Sequence, residues 1–428
     1  MGLRAIAVIE VGTTRVFGVL AVPSPASPTG VEIVRVAPEL KSAGIRKGEV
    51  SNIDAAVPVV KRVLNELGKY PNLTLHDVCA VYNGGALESK EIFGTHPIEA
   101  DEDGDRIVSE ADVDAAMKTM TQERAPSERH ILEQFKTEYI LDGTRNVDEP
   151  CNATAREITV KGLRTHADAN GIVTLRRMIE EHCGYQVERV FSAAYGAQLG
   201  CLSPEQRELG ALVIDLGGGT TSWSVVNHGT VINAGSIPVG GDHITQDLLY
   251  AFNTGSEECA QELKHHHASA VLEGIPSNER VELPKNIGIK RSVNLKAISQ
   301  VVNARMDEIF QIIHEKTDNG RFLNQLGFGV VLCGGGSALR GVDTLATLRF
   351  NKPCVIGSPA AAGFTDWTPA AAPNAKEPPP VFEFGPRHSA ALGVLTLVPK
   401  SRAAEENGRN KSVWDKFKHA LGLGGYGR

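Results

Sequence analysis

Two short turns carry the residue types that grip phosphate. Gly12-Thr13-Thr14 lies between two apolar, β-branched runs, and Gly217-Gly218-Gly219-Thr220-Thr221 follows Asp215 in the same kind of setting. The β- and γ-phosphates of a nucleotide need backbone N–H groups at close range, and glycine lets a turn come near without a Cβ in the way. The threonine hydroxyls add donors, and Asp215, at a strand end, can hold a hydrated Mg²⁺ or orient a water. A single glycine turn is more often a plain strand connection. Two of them, followed downstream by a third at Gly334-Gly335-Gly336-Ser337 whose backbone can pack against a purine ring, point to nucleotide binding.

Strands must hold these turns. Residues 4–9 (RAIAVI) and 15–22 (RVFGVLAV) predict a hairpin around the first turn, and ALVIDL, SWSVV and TVINA from residue 211 predict strands around the second. The same unit occurring about 200 residues apart suggests duplicated domains that face each other. A helix is expected from near Thr245 (TQDLLYAF), another from Cys259 to Lys264 (CAQELK), and a long one over 295–316. In the long helix Ile298, Val301, Val302, Met306, Ile309 and Ile313 share one face. A buried strand, GFGVVL, leads into the third glycine turn. The Ala- and Pro-rich stretch 360–380 reads as an extended surface insertion, after which RHSAALGVLTLV resumes regular structure.

A chain of 428 residues exceeds what one core usually serves, so two domains are expected. With 42% hydrophobic and 22% charged residues it reads as a globular α/β protein. A net charge of -7 and 5% aromatic residues exclude a generic nucleic-acid binder, which needs a basic field and stacking platforms. The seven cysteines lie apart with no CxxC pair, which fits thiols in a reducing compartment. The apolar opening is interrupted by Glu10 and Arg15 and reads as strand, turn and strand rather than a leader; no run reaches the roughly 18 apolar residues of a membrane span. A cytoplasmic protein is expected. His265-His266-His267 point about 100° apart on a helix and read as a solvated surface rather than a metal site. The acidic run Glu99 to Asp105 reads as a solvated loop. The basic cluster Lys285, Lys290, Arg291 and Lys296 fits either an acidic peptide partner or a solvated face.

The stretches SAGIRKGEVSNIDAAVPVVKRVL (42–64), LGALVIDLGGGTTSWSVVNHGTVINAGSIPVGGDHITQDL (209–248) and RMDEIF (305–310), with the end of the chain, resemble the FtsA family. These are the bacterial cell-division members of the actin, heat-shock chaperone and sugar-kinase superfamily, and the match covers almost the whole chain. The resemblance implies an α/β, actin-like (ribonuclease H-like) pair of duplicated domains with a nucleotide cleft and an FtsA-type small subdomain. It implies ATP and Mg²⁺ as cofactors, with Gly12, Thr13, Thr14 and Arg15 in the first phosphate loop and Gly217, Gly218, Gly219 and Thr220 in the second. Glu10 and Asp215 would face the metal through water, with Asp215 the candidate catalytic group. Gly240, Gly241 and the following Thr245 would lie near the sugar or phosphates, Gln261 and Lys264 would sit on a ribose-facing helix, and Gly335, Gly336 and Ser337 would face adenosine. Along the chain it implies a first domain over 1–82 and 161–190, the small subdomain over 83–160 for polymer contacts, and a second domain over 191–252 and 326–399. Residues 253–325 would receive the C-terminal peptide of FtsZ, the tubulin-like division protein, and 400–410 would be a linker. Expected partners are FtsZ, further copies in a head-to-tail filament, other division proteins and anionic inner-membrane lipid, at the cytoplasmic face of the division site. A kinase or chaperone ATPase, or a pilus-assembly adaptor on the same fold, stands as the alternative.

Four positions depart from the family pattern: Glu10 where aspartate is usual, Arg15 where lysine is usual, Ser222 in place of the last residue of GGGTTD, and Gln261 for glutamate. Holding nucleotide should tolerate these better than turnover. At the end of the chain (411–428), helical spacing puts Val413, Trp414, Phe417, Ala420 and Leu421 on one face, with Lys416 and Lys418 towards the flanks. That is an interfacial amphipathic helix suited to anionic lipid, each lysine contributing about 1 kcal/mol near such a surface. Docking on the protein's own surface or on a partner is the other reading.

Overall fold

The computed structural model describes residues 5–71, 73–102, 104–122, 125–283, 291–369 and 381–407. The segment 411–428, with its predicted amphipathic helix, and Lys285 and Lys290 of the basic cluster lie outside the described residues.

Strand Ile6–Val11 is buried at all six positions, as a strand covered on both faces must be. It pairs antiparallel with Arg15–Pro23 and parallel with Asp77–Tyr82. Val31–Val36 extends the sheet beyond Arg15–Pro23, and Gln186–Ser192 beyond Asp77–Tyr82. The second unit repeats this plan. Ala211–Leu216 pairs antiparallel with Thr221–Asn227, which pairs with Thr230–Ile237; on its other side it runs parallel to Gly329–Cys333, followed by Cys354–Ile356. Each sheet therefore has its first strand in the middle, a meander on one side and parallel crossovers on the other. This is the duplicated actin-like architecture.

The crossover helices bury one face each. Ile53–Leu67 is capped by Asn52, whose side chain accepts from Ala55 N, and buries Ala56, Val60, Val63, Leu64 and Leu67. Leu295–Lys316 has the bounds expected of it, with Ile298, Val302, Met306, Ile309 and Ile313 buried; Val301 is only partly buried, and Phe310 takes its place in the core. Helix Gly241–Phe252 starts four residues before the expected Thr245. The reason is tertiary: the second phosphate turn accepts its first N–H groups, so the backbone coils earlier than side-chain periodicity indicates.

Residues 88–168 form an insertion: strands Glu88–Pro97, Arg129–Leu141 and Glu157–Asp168 with helix Glu110–Gln122. Its core of Ile92, Met117, Met120, Tyr139 and Ile158 is its own. The insertion continues the second sheet through one pairing, Gly235 with Glu88, giving nine strands. Between the two sheets, helices Ala193–Cys201 and Ser389–Asn407 pack with residues of both domains, among them Val8, Phe17, Val213 and Val331, in a common core. The ends of the Ala/Pro stretch are tied by paired backbone bonds between Trp367 and Phe382. Among the described residues, no helix is long and apolar enough to cross a membrane.

Candidate functional site

The two Gly/Thr turns meet tip to tip in the cleft between the sheets. In the first, Gly12 N donates to the Arg15 carbonyl at 2.9 Å, closing the hairpin, and Gly48 N donates to Thr13 Oγ1 at 2.9 Å. A Cβ on Gly218 would lie 2.4 Å from Thr14 Cγ2, and one on Gly219 2.4 Å from Thr13 Oγ1, so a side chain at either position would push the threonines out of place. Helix Gly241–Phe252 presents its N-terminus to the second turn, with Gly241 N and Asp242 N donating to the carbonyls of Gly217 (2.9 Å) and Gly218 (2.8 Å). These N–H groups are taken up by the turn, so the helix start braces it, and the helix dipole adds a partial positive charge beside the cleft.

The turns divide the cleft into two adjoining cavities. One, of about 230 Å³, is lined by Glu10, Gly12, Arg15, Asp215, Thr220 and Arg387 among others. The other, of about 640 Å³, is bordered by Gly240, Gly241, Gln261, Lys264, Gly336 and Met306. Thr13, Thr14, Gly217, Gly218 and Gly335 line both. The larger cavity lies within the size range of small-molecule sites, about 300–1,000 Å³. Three residues from the sequence-derived set stand behind the lining: Gly219, Thr245 and Ser337. Gly219 packs on Thr13, and Ser337 is buried with its hydroxyl donating to the Gly334 carbonyl at 2.7 Å. Gln261 Nε2 donates to Glu257 Oε1 at 3.3 Å. Lys264 Nζ donates to Gly241 O (2.9 Å) and Thr245 Oγ1 (2.8 Å), tying this helix to the helix start.

Two carboxyls face the smaller cavity. Burial, and then the neighbouring Glu10, push the Asp215 carboxyl up to about 7, with Arg15 opposing. Glu10 is also raised, chiefly by burial, although Arg15 stands 3.6 Å away. Glu10 Oε2 is buried without a hydrogen-bond partner. Such a pair suits a hydrated divalent cation, which would favour both ionised forms. Among the described residues no group of three or more His, Cys, Asp or Glu could hold an ion, so water would have to complete the shell. Ser222, where the family pattern has a carboxylate, lines the same cavity with its hydroxyl buried and unpartnered.

Two acids at the site were not singled out in the sequence: Asp242, which lines the larger cavity, and Glu39, which stands behind Arg15 and Arg387. Asp242 follows the Gly240-Gly241 pair, and GGDH offered a hint that an acid stands beside the turn. Glu39 offered none. Its carboxylate accepts from Arg15 Nη1 (2.9 Å) and bonds His388 Nε2 (2.8 Å), 349 residues away in the chain, and it pairs with Arg387 (3.1 Å). Only the folded chain brings these together.

Two family models match this chain: "Cell division protein FtsA" over residues 212–378 and "SHS2 domain inserted in FTSA" over 84–163. The cell division protein FtsA of Neisseria meningitidis serogroup B is 27% identical over 363 residues, covering 84% of this chain and 85% of that protein. The FtsA of Pseudomonas aeruginosa is 25% identical over 361 residues, 84% of each chain, and that of Agrobacterium fabrum 25% over 430 residues, 97% of this chain and 92% of its own. Among solved structures, a chain of the PilM-PilN type IV pilus biogenesis complex aligns with a TM-score of 0.57 at 16% identity, covering 92% of this chain and 98% of that one. MreB5 of Spiroplasma citri bound to ADP aligns with a TM-score of 0.55 at 14% identity, covering 95% and 99%. At such identities these structures are alike in fold alone. The second model falls on the inserted subdomain and the first on most of the second domain, while the relatives run through both; the chain belongs to the FtsA family of cell division proteins.

Proposed function

We propose that the chain binds MgATP between its two domains, assembles head to tail with its own copies, and ties FtsZ filaments to the cytoplasmic face of the inner membrane at the division site. The observation that carries the nucleotide reading is the contact of the two Gly/Thr turns under the N-terminus of helix Gly241–Phe252. Phosphates would sit on Gly12 to Thr14 and Gly217 to Thr220. Adenosine would occupy the larger cavity against Gly335 and Gly336, with Gln261 and Lys264 towards the ribose. A hydrated Mg²⁺ would be held by Glu10 and Asp215 and would supply charge neutralisation for the phosphates. Since a ligand spanning the cleft fixes one domain against the other, polymerisation would be the nucleotide-sensitive step.

The partner assignments follow the same family reading. The small subdomain expected over 83–160, which the insertion 88–168 largely makes up, serves polymer contacts, 253–325 receives the FtsZ peptide, and other division proteins are further partners. Residues 411–428 with Val413, Trp414, Phe417 and Leu421 engage anionic lipid, Lys416 and Lys418 adding attraction. The cell-division relatives support this over a kinase. With Asp215 raised by burial and Ser222 in place of an acid, the emphasis falls on holding ATP rather than spending it. Calorimetry with ATP and ADP, run beside phosphate release with and without vesicles, tests it. A chain that binds neither nucleotide refutes the reading.

A further inference from the structure

Arg387 reaches the smaller cavity from a part of the chain remote from both Gly/Thr turns. It lies in the short helical turn Pro386–His388, directly before helix Ser389–Asn407, which leads towards residues 411–428. Arg387 Nη2 is 3.1 Å from Glu39 Oε2, while the Arg387 carbonyl accepts from Arg15 Nη2. Arg15 Nη1 donates to the other oxygen of Glu39 at 2.9 Å. One carboxylate thus serves two guanidiniums, and both arginines are among the residues that line the smaller cavity.

The backbone around Arg387 is fixed, while its half-exposed side chain is held by Glu39 and by a contact from Nε to His388 Nε2 at 3.3 Å. His388 is fully buried, with its ring against Phe17 (4.9 Å), Phe382 (5.4 Å) and Phe384 (5.7 Å). Its Nδ1 accepts from Gly385 N at 2.9 Å, and its Nε2 meets both Glu39 Oε1 (2.8 Å) and Arg387 Nε (3.3 Å). Ser389 Oγ donates to the Pro386 carbonyl at 2.8 Å, locking the helix start. The Arg387 side chain is 52% exposed, so solvent screens its end of the pair with the more buried Glu39. A phosphate dianion offers a guanidinium fork more than a shared carboxylate does. The helix that follows is a rigid reporter. A Cβ on its Gly393 would lie 1.9 Å from the Gly196 carbonyl of helix Ala193–Cys201, whose first residues, Ala193 and Ala194, line the same cavity.

We propose that Arg387 is a ligand for the terminal phosphate of a nucleoside triphosphate, and that its transfer from Glu39 to that phosphate signals cleft occupancy to helix Ser389–Asn407. This deepens the nucleotide reading and rests on it. A diphosphate lacks the group that Arg387 would take, so the two nucleotides leave the root of the C-terminal segment in different states.

The test uses the full chain with Mg²⁺, ATP and ADP, measuring affinities by competition and amide exchange over residues 389–402. Arg387→Ala lowers the ATP-over-ADP preference about tenfold, the value of one charge-assisted hydrogen bond, and abolishes the exchange difference between the two nucleotides. Arg387→Lys, a point charge without the fork, restores part of the preference. Glu39→Gln weakens the competitor for Arg387, so it raises the ATP-over-ADP preference and raises exchange at the helix start without nucleotide. An unchanged ATP-to-ADP ratio in Arg387→Ala, or a persisting exchange difference, overturns the inference alone. A wild-type chain that binds neither nucleotide overturns it together with the function it rests on.

Discussion

Gly240→Ala probes the joint between the second phosphate turn and helix Gly241–Phe252. A Cβ there would lie 2.5 Å from the carbonyl oxygens of both Gly217 and Gly218. These are backbone atoms held between strands Ala211–Leu216 and Thr221–Asn227, so no rotamer change relieves the clash. Helix and turn must separate by several tenths of an ångström, which breaks or weakens the bonds from Gly241 N (2.9 Å) and Asp242 N (2.8 Å) to the same oxygens. Two hydrogen bonds at about 0.5–1.5 kcal/mol each, with about 1 kcal/mol or more of overpacking, give roughly 2–4 kcal/mol. The chain should stay folded, since the helix keeps Ile244 and Leu248 in the core. If about 2–3 kcal/mol of the cost falls on binding, ATP affinity drops roughly 30- to 150-fold. Competition binding beside thermal melting checks this. A variant that melts within a few degrees of wild type and binds ATP with unchanged affinity would refute the placement of phosphate at this joint.

Gly335→Ala makes the complementary case: a Cβ there meets nothing within 4 Å, so melting should be unchanged while nucleotide affinity falls if adenosine packs on this backbone. Equal affinity would remove adenosine from the turn. The raised Asp215 carboxyl gives a pH signature. Its folded value of about 7 exceeds the ordinary 3.8, so the native state holds the extra proton and stability falls as pH rises from about 4 to about 7. Asp215→Asn should flatten the melting temperature over that window and melt above wild type at about pH 8. Glu39 has the opposite sign. Its folded value of about 2 stabilises above 4.5, and that contribution disappears as pH falls through 2. Phe310→Ala removes a fully buried ring that meets Phe350 edge-on at 5.6 Å, and should lower stability by about 3–5 kcal/mol in urea titrations. Ending the chain before Lys411 should abolish sedimentation with anionic vesicles; equal pelleting of both forms would sink the membrane assignment.

Elements governed by near neighbours were legible. The apolar faces of Leu295–Lys316 follow a 3.6-residue period, and the Gly/Thr turns declare themselves because tight turns between strands restrict residue type so strongly. Elements governed by a partner elsewhere were not. The start of helix Gly241–Phe252 depends on carbonyls of the phosphate turn. The different duties of adjacent glycines, Gly218 against Thr14 and Gly335 towards open space, depend on what each meets. Ser337, with the same residue type as a ligand donor, spends its hydroxyl on Gly334.

The residue order by itself determined the duplicated hairpins, the class of ligand that the turns suit and the family, since these rest on spacing within a few residues. Only the tertiary structure decided that the turns touch, that Glu10 and Asp215 share one buried space and that Glu39 joins Arg15 to Arg387. Those contacts close loops of tens to hundreds of residues. No local pattern encodes them, because they are paid for by burial in the common core rather than by the conformational preferences of the residues that make them.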